Sequence, residues 1–127
     1  MWIIFYEESM MSSLEEIFLK KKERKARLQE ALESIISQLK NLGALKIIVF
    51  GSFAQDKVDV NSDLDLFVLM PASKTGKEWL DIIYDTIERR VASDIIVYND
   101  KEFRERLPAS EFLQNVVKGK VVYEKTG

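Results

Sequence analysis

The chain has 127 residues, of which 46% are hydrophobic, and a formal net charge of −2. This length suits one domain with a buried core, and the charge gives no global basic field, so we do not expect direct nucleic-acid binding. The chain contains no cysteine and no histidine. Disulfides, thiolate metal sites and imidazole catalysis are therefore excluded, carboxylates remain as general bases, and we expect a reducing, cytoplasmic location.

The chain opens with an apolar stretch over residues 1–6 that is followed at once by Glu7 and Glu8. The stretch lacks a basic leader and is far too short to span a bilayer. We therefore interpret residues 1–8 as an extra edge strand or an interface segment, not as a signal peptide, and expect no membrane association.

A long helix is predicted over residues 14–42. Ser12 and Ser13 lie three residues before glutamates, which is a capping-box pattern, and Gly43 is a natural C-terminal stop. Apolar residues recur at helical spacing at Leu14, Ile17, Phe18, Leu28, Ala31, Leu32, Ile35, Ile36, Leu39 and Leu42. The middle, residues 20–25, is polar all round and is expected to lie in solvent. We assign residues 1–43 to packing or to an interface, and residues 44–127 to the core of the same domain.

The next stretch predicts a strand, a Gly51-Ser52 turn, and a second strand that opens with Asp63 and Asp65. Because side chains alternate across a strand, these two carboxylates share one face. Carboxylate oxygens suit Mg²⁺, and a glycine turn lets backbone N–H groups approach a phosphate, to which Ser52 adds a hydroxyl. The pattern indicates phosphoryl or nucleotidyl transfer.

The remaining elements complete an α/β (α+β) fold, in which helices pack on a small mixed sheet. A capping box of Thr75 and Glu78 predicts a helix over about 76–90, with Trp79 packed in the core. The later elements are a strand headed by Asp94, a short helix through Arg106, a helix over 110–117 and a terminal strand over 120–123.

The spacing of Gly51-Ser52, ten intervening residues and Asp63-Leu64-Asp65 resembles the GSx10DxD signature of the minimal nucleotidyltransferases, in the DNA polymerase beta superfamily. The likeness extends over about residues 30–125. It implies a polymerase beta-like nucleotidyltransferase fold and a third carboxylate on the next strand, for which Asp94 is the match. Three close carboxylates raise one another's pKa unless cations neutralise them.

The resemblance also implies the site. Asp63, Asp65 and Asp94 would be the catalytic residues and the ligands of two Mg²⁺ ions, and Gly51 and Ser52 would bind the phosphates of ATP. In the family the turn usually continues as Gly-Ser-Arg-Ala-Arg-Gly. Here both arginines and the second glycine are replaced, within Phe53-Ala54-Gln55-Asp56. Asp56 tolerates a left-handed backbone better than most residues, and Lys57 is the expected substitute for the lost charge.

The function that the resemblance implies is transfer of AMP from ATP to a hydroxyl acceptor, with Asp94 as the base. Minimal nucleotidyltransferases are commonly the antitoxins of HEPN ribonuclease toxins, in type VII-like toxin–antitoxin pairs, and the acceptor would be a toxin tyrosine. Two alternatives remain. The chain could be a catalytically weak antitoxin that acts by occlusion. It could instead be a small-molecule adenylyltransferase that forms a homodimer through its N-terminal helix.

Overall fold

The computed structural model describes residues 2–126, and for residues 2–12 it describes the backbone without the side chains. The helices and strands confirm the predicted α/β class. In chain order they are α1 (Trp2–Leu42), β1 (Lys46–Phe50), α2 (Gly51–Ala54), β2 (Leu64–Met70), α3 (Gly76–Thr86), β3 (Ser93–Asn99), α4 (Asp100–Arg106), a 3₁₀ turn (Leu107–Ala109), α5 (Glu111–Val116) and β4 (Lys120–Glu124).

The four strands form one mixed sheet in the order β3-β2-β1-β4. Strand β1 is antiparallel to both β2 and β4, whereas β2 and β3 are parallel and are joined through α3. Helices cover both faces of the sheet, as alternating side chains on each strand allow. One face packs against α1 and α3, and the other packs against α4, the 3₁₀ turn and α5.

Helix α1 has 41 residues, which corresponds to about 60 Å at 1.5 Å per residue. Its C-terminal half packs on the sheet through Leu28, Ala31, Leu32, Ile35 and Leu39. It ends as predicted at Gly43, where φ is 103° and the amide groups of Gly43 and Ala44 bond back to Lys40 and Leu39. In the described part of the chain, no helix has the length and apolar character needed to cross a bilayer.

Two expectations for the start of the chain are wrong. The expected edge strand over residues 1–8 is helical from Trp2 onward, and Met1 lies outside the described residues. The expected cap at Ser12 and Ser13 falls inside the same helix, because the helix begins before it. An interface role for the first residues stays a prediction, since their side chains lie outside the description.

The middle of α1 was expected to lie in solvent, and residues 20–23 and 25 are exposed as predicted, whereas Arg24 is not. Arg24 is half-buried and bonds to the loop before β2, and Lys21 and Lys25 pair with acidic residues of that loop. The acidic side chains of the loop between α2 and β2 attract this basic helix face. Arg24 therefore packs against the loop that leads to Asp63, and the other residues of this stretch stay exposed.

The predicted cap of α3 is confirmed, since Thr75 and Glu78 form its capping box. Trp79 is buried and donates from Nε1 to the carbonyl of Pro71, 2.9 Å away, so it belongs to the core as expected. Helix α3 ends at Thr86 and not near residue 90. The reason is a pair of hydrogen bonds of 2.8 and 2.9 Å between the Gln38 side chain and the backbone of Glu88.

Candidate active site

Two predicted site residues lie side by side on neighbouring strands. In the parallel pairing of β2 and β3, Asp65 is the register partner of Asp94, and in the antiparallel pairing of β1 and β2, Phe50 is the partner of Asp65. Directly paired residues project to the same face of a sheet. Phe50, Asp65 and Asp94 therefore form a row across three strands, at the end of the sheet where β1 enters the Gly51-Ser52 turn.

The pKa of Asp65 depends on the charges of the other two predicted carboxylates. Asp65 is half-buried, whereas Asp63 and Asp94 are exposed. Burial raises the pKa of Asp65, and the negative charges of Asp94 and Asp63 raise it further. Asp65 therefore lies within electrostatic range of both Asp94 and Asp63. A bound cation would relieve the repulsion of Asp65 by its neighbours.

The turn beside these carboxylates requires glycine at its first position. Gly51 has φ of 76°, which disfavours residues with a Cβ. A Cβ at Gly51 would also overlap the Oδ2 atom of Asp65 and come within 3.1 Å of its Cγ. The turn and the central carboxylate are therefore in direct contact, and only glycine permits this approach.

The rest of the turn follows the expectations in part. Asp56, at the position of the family's second glycine, has φ of 55°, a left-handed backbone that aspartate tolerates better than most residues. The backbone N–H of Lys57 donates to the carbonyl of Ser52, 2.8 Å away. Lys57 is exposed, and within the described residues its ammonium group has no hydrogen bond or ion pair. The structure therefore brings the backbone of Lys57 to the turn, while the phosphate role of its side chain stays a prediction.

The donor set fits a divalent cation that is shared with a substrate. Among the described side chains, no group of three acidic residues encloses a point where a metal could sit. The Oδ1 atom of Asp63 lies 3.4 Å from a terminal nitrogen of Arg24. Mg²⁺ in proteins commonly takes one or two carboxylates and completes its shell with water and substrate phosphates. The Asp65–Asp94 pair beside the Gly51-Ser52 turn supplies two such carboxylates.

Arg24 is the residue of this site that the sequence reasoning missed. Its Nε donates to the carbonyl of Ser62 at 2.9 Å, and its side chain is 20% exposed. A signal was present in the sequence. Arg24 precedes the fully buried Leu28 by four residues, so it lies on the helix stripe that faces the core.

A cavity of about 500 Å³ opens beside the turn. Phe50 and Gly51 form part of its wall, together with Phe112, Lys118 and Lys120. The rings of Phe50 and Phe112 pack edge to face with centroids 6.2 Å apart, and 46% of Phe112 is exposed. The cavity has the volume of a small-ligand site and combines aromatic surface with positive charge.

A sequence profile of the nucleotidyltransferase domain family matches residues 28–123, which contain the turn and all three carboxylates. The chain belongs to the nucleotidyltransferase domain family. Its fold is similar to that of a candidate nucleotidyltransferase from Sulfolobus solfataricus, known from a crystal structure, with a TM-score of 0.61 and 15% identity over 84% of this chain and 88% of that one. No curated protein is significantly similar in sequence.

The family match and the structural match confirm the predicted nucleotidyltransferase fold and superfamily. At 15% identity, the structural similarity concerns the fold alone. Domains of this family act on nucleoside triphosphates with a divalent metal. The minimal subfamily, the toxin partner and the acceptor go beyond these findings.

Proposed function

We propose that this nucleotidyltransferase transfers AMP from ATP to a hydroxyl group in a Mg²⁺-dependent reaction, as a minimal nucleotidyltransferase. In this reaction the acceptor oxygen forms a bond to the α-phosphorus, the bond from that phosphorus to the bridging oxygen breaks, and pyrophosphate leaves. The observation that carries the proposal is the register of Asp65 with Asp94, directly beside the close contact of Gly51.

The three carboxylates have distinct roles in this proposal. Asp63, Asp65 and Asp94 would hold two Mg²⁺ ions, which, when bound, neutralise charge on the triphosphate and on the attacking and leaving oxygens. Asp94 lies on β3, at one edge of the sheet, and is exposed, so an acceptor hydroxyl can reach it. Its carboxylate would accept the hydroxyl proton.

The turn would hold the phosphates. The backbone N–H groups at Gly51 and Ser52 and the Ser52 hydroxyl are the donors, and Lys57 adds a positive charge near them. Chemistry of this kind depends on positioning and charge neutralisation more than on a reactive side chain. A chain without histidine or cysteine therefore contains what the reaction needs.

The cavity beside the turn offers a place for the nucleoside. Its exposed Phe112 ring gives a surface on which a base can stack, and Lys118 and Lys120 add positive charge for the phosphates. Because Gly51 belongs to the cavity wall, a nucleotide bound there would place its phosphates at the turn.

The acceptor that we propose is a tyrosine of a HEPN toxin, so that the chain acts as the antitoxin of a type VII-like pair. The family resemblance supports this partner, and an apolar surface on α1 suits a protein contact. This surface, which we call the α1 apolar face, consists of Leu14, Ile17, Phe18 and Leu19, which are 75%, 49%, 68% and 53% exposed. Grooves of helical proteins commonly bind apolar helix faces of this kind.

The test uses the protein together with the product of the neighbouring gene. Both are incubated with Mg²⁺ and α-labelled ATP, and mass spectrometry locates any AMP adduct on the partner. We expect labelled AMP on a partner tyrosine with the wild type and none with Asp65→Asn. Inhibition of the partner without any adduct would instead favour occlusion through the α1 apolar face. Labelling of a small molecule by a homodimer would favour the alternative that the chain is a small-molecule adenylyltransferase.

A further inference from the structure

One face of α1 pairs with successive acidic residues of the loop between α2 and β2. Lys25 bonds to Asp56, which lowers the pKa of that carboxyl, and Lys21 lies 4.0 Å from Asp59. Arg24 continues the series at Asp63. Residues 21, 24 and 25 lie on the same side of a helix, because positions three and four apart are neighbours. These three contacts place one face of the helix beside the loop that ends in a proposed metal ligand.

Arg24 differs from the two lysines in burial and in bonding. Its side chain is 20% exposed, against 48% for Lys21 and 54% for Lys25. Exposed pairs stabilise little, and the two lysine pairs are of that kind. The planar guanidinium group of Arg24 bonds two neighbouring residues at once, the carbonyl of Ser62 through Nε and the carboxylate of Asp63 through a terminal nitrogen.

We infer that Arg24 is a positioning residue, which fixes the backbone and the carboxylate of Asp63 for binding of Mg²⁺ with ATP. This inference rests on the proposed function. Carboxylates that bind metals are oriented by further hydrogen bonds, and the loss of such a partner typically weakens metal binding by about 10- to 100-fold. The contact uses Oδ1 of Asp63, which leaves Oδ2 for a cation.

A competing effect predicts the opposite sign. Arg24 carries a positive charge next to the proposed cation, so simple repulsion would make its removal strengthen Mg²⁺ binding. The bond to the Ser62 carbonyl is what favours positioning, because it restrains the backbone that leads into β2 independently of the charge on Asp63. The two effects are therefore separated by the direction of a single measured change.

The experiment compares wild type, Arg24→Gln, Arg24→Lys and a control, Lys22→Gln, which removes an exposed charge two residues away. Calorimetry follows Mg²⁺ binding to each protein in the presence of a non-hydrolysable ATP analogue. We expect Arg24→Gln to weaken Mg²⁺ binding by about tenfold or more, and Lys22→Gln to leave it unchanged. Arg24→Lys should recover part of the loss, because lysine keeps the charge but not the planar fork.

A second readout needs neither metal nor activity. The amide of Ser62 donates to Asp59 and the amide of Leu64 donates to Ala92. In the metal-free protein, hydrogen exchange at these two amides should be faster in Arg24→Gln than in wild type and unchanged in Lys22→Gln. Thermal unfolding checks that each variant is folded.

Mg²⁺ binding by Arg24→Gln that equals or exceeds that of the wild type would overturn the inference about Arg24. The proposed function would then stand, provided that the wild type binds Mg²⁺ with the analogue. A wild type that binds no Mg²⁺ under these conditions would overturn the proposed function, and the inference with it.

Discussion

Asp65 on β2 and Asp94 on β3 are register partners in a parallel pairing, although 28 residues separate them in the chain. The crossover through α3 brings them to adjacent strands, which lie about 4.8 Å apart in a sheet. The neighbouring charge of Asp94 contributes to the raised pKa of Asp65, after burial. The fold therefore maintains a repulsive pair of carboxylates at one end of the sheet, beside Gly51.

The first prediction concerns the stability of the metal-free protein. Asp65→Asn should raise the melting temperature at neutral pH, because it removes a half-buried charge that burial and two nearby carboxylates disfavour. Thermal unfolding in the presence of a chelator measures the effect. Asp81→Asn, an exposed position on α3, is the matched control and should change the melting temperature little.

The same carboxyl predicts how this difference depends on pH. Because the pKa of Asp65 is raised on folding, the native state binds more protons than the unfolded state between the usual value of 3.8 and the raised one. The contribution of Asp65 to stability therefore falls as the pH rises through this window. The advantage of Asp65→Asn over wild type should grow over the same range. A stability difference that shrinks with rising pH would contradict a raised pKa of Asp65.

The second prediction concerns the turn. Gly51→Ala should cost about 1–3 kcal/mol in the free energy of unfolding, from backbone strain, and should also abolish nucleotidyl transfer. The activity is lost because the new Cβ collides with Asp65. Gly43→Ala is the control. Gly43 also has positive φ, but a Cβ there meets only Pro71, at 3.9 Å. The Gly43→Ala variant should lower stability and keep activity. Equal activity losses in the two variants would therefore contradict a special role for the turn.

The third prediction concerns the cavity. Phe112→Ala should raise the KM for ATP and change kcat little, since stacking of a base on an aromatic ring contributes about 1–3 kcal/mol. Steady-state kinetics measures both constants, and inhibition by inorganic tripolyphosphate, which has no base, should be unaffected. Tyr84→Ala on α3, where the tyrosine is 41% exposed, is the aromatic control. An unchanged KM in Phe112→Ala would place the nucleoside elsewhere.

The fourth prediction concerns the partner. Replacement of Leu14 and Phe18 by glutamate should weaken binding of the proposed toxin partner by about 2 kcal/mol or more, since large buried apolar residues dominate interfaces. The melting temperature should change little, because both side chains are exposed. Calorimetry with the purified partner measures the loss. Glu16→Lys, on another side of α1, should bind nearly normally, and normal binding by the double variant would exclude the α1 apolar face from the contact.

The elements around the site could be predicted because local signals agreed with the fold. Gly43 ends α1, Thr75 caps α3, and the alternation around Asp65 follows from strand geometry. Asp56 adopts a left-handed backbone at the position of a lost glycine, which aspartate tolerates better than most residues. The family match then extends the agreement from single residues to most of the chain.

The contacts of α1 could not be predicted in the same way, because they depend on tertiary placement. The run around Arg24 has the composition of a solvated helix surface, and only the position of the loop before β2 shows which of its charges are paired. The end of α3 was likewise set by Gln38, 50 residues from its partner Glu88. Local periodicity does not contain such long-range bonds.

The central claim is that Asp65 and Asp94 act together in nucleotidyl transfer. The most direct test is the rate of Mg²⁺-dependent AMP transfer from α-labelled ATP to the partner, measured for wild type, Asp65→Asn and Asp94→Asn. We expect transfer by the wild type and only background labelling by either variant, with both variants folded. A wild-type rate in either variant would contradict the claim.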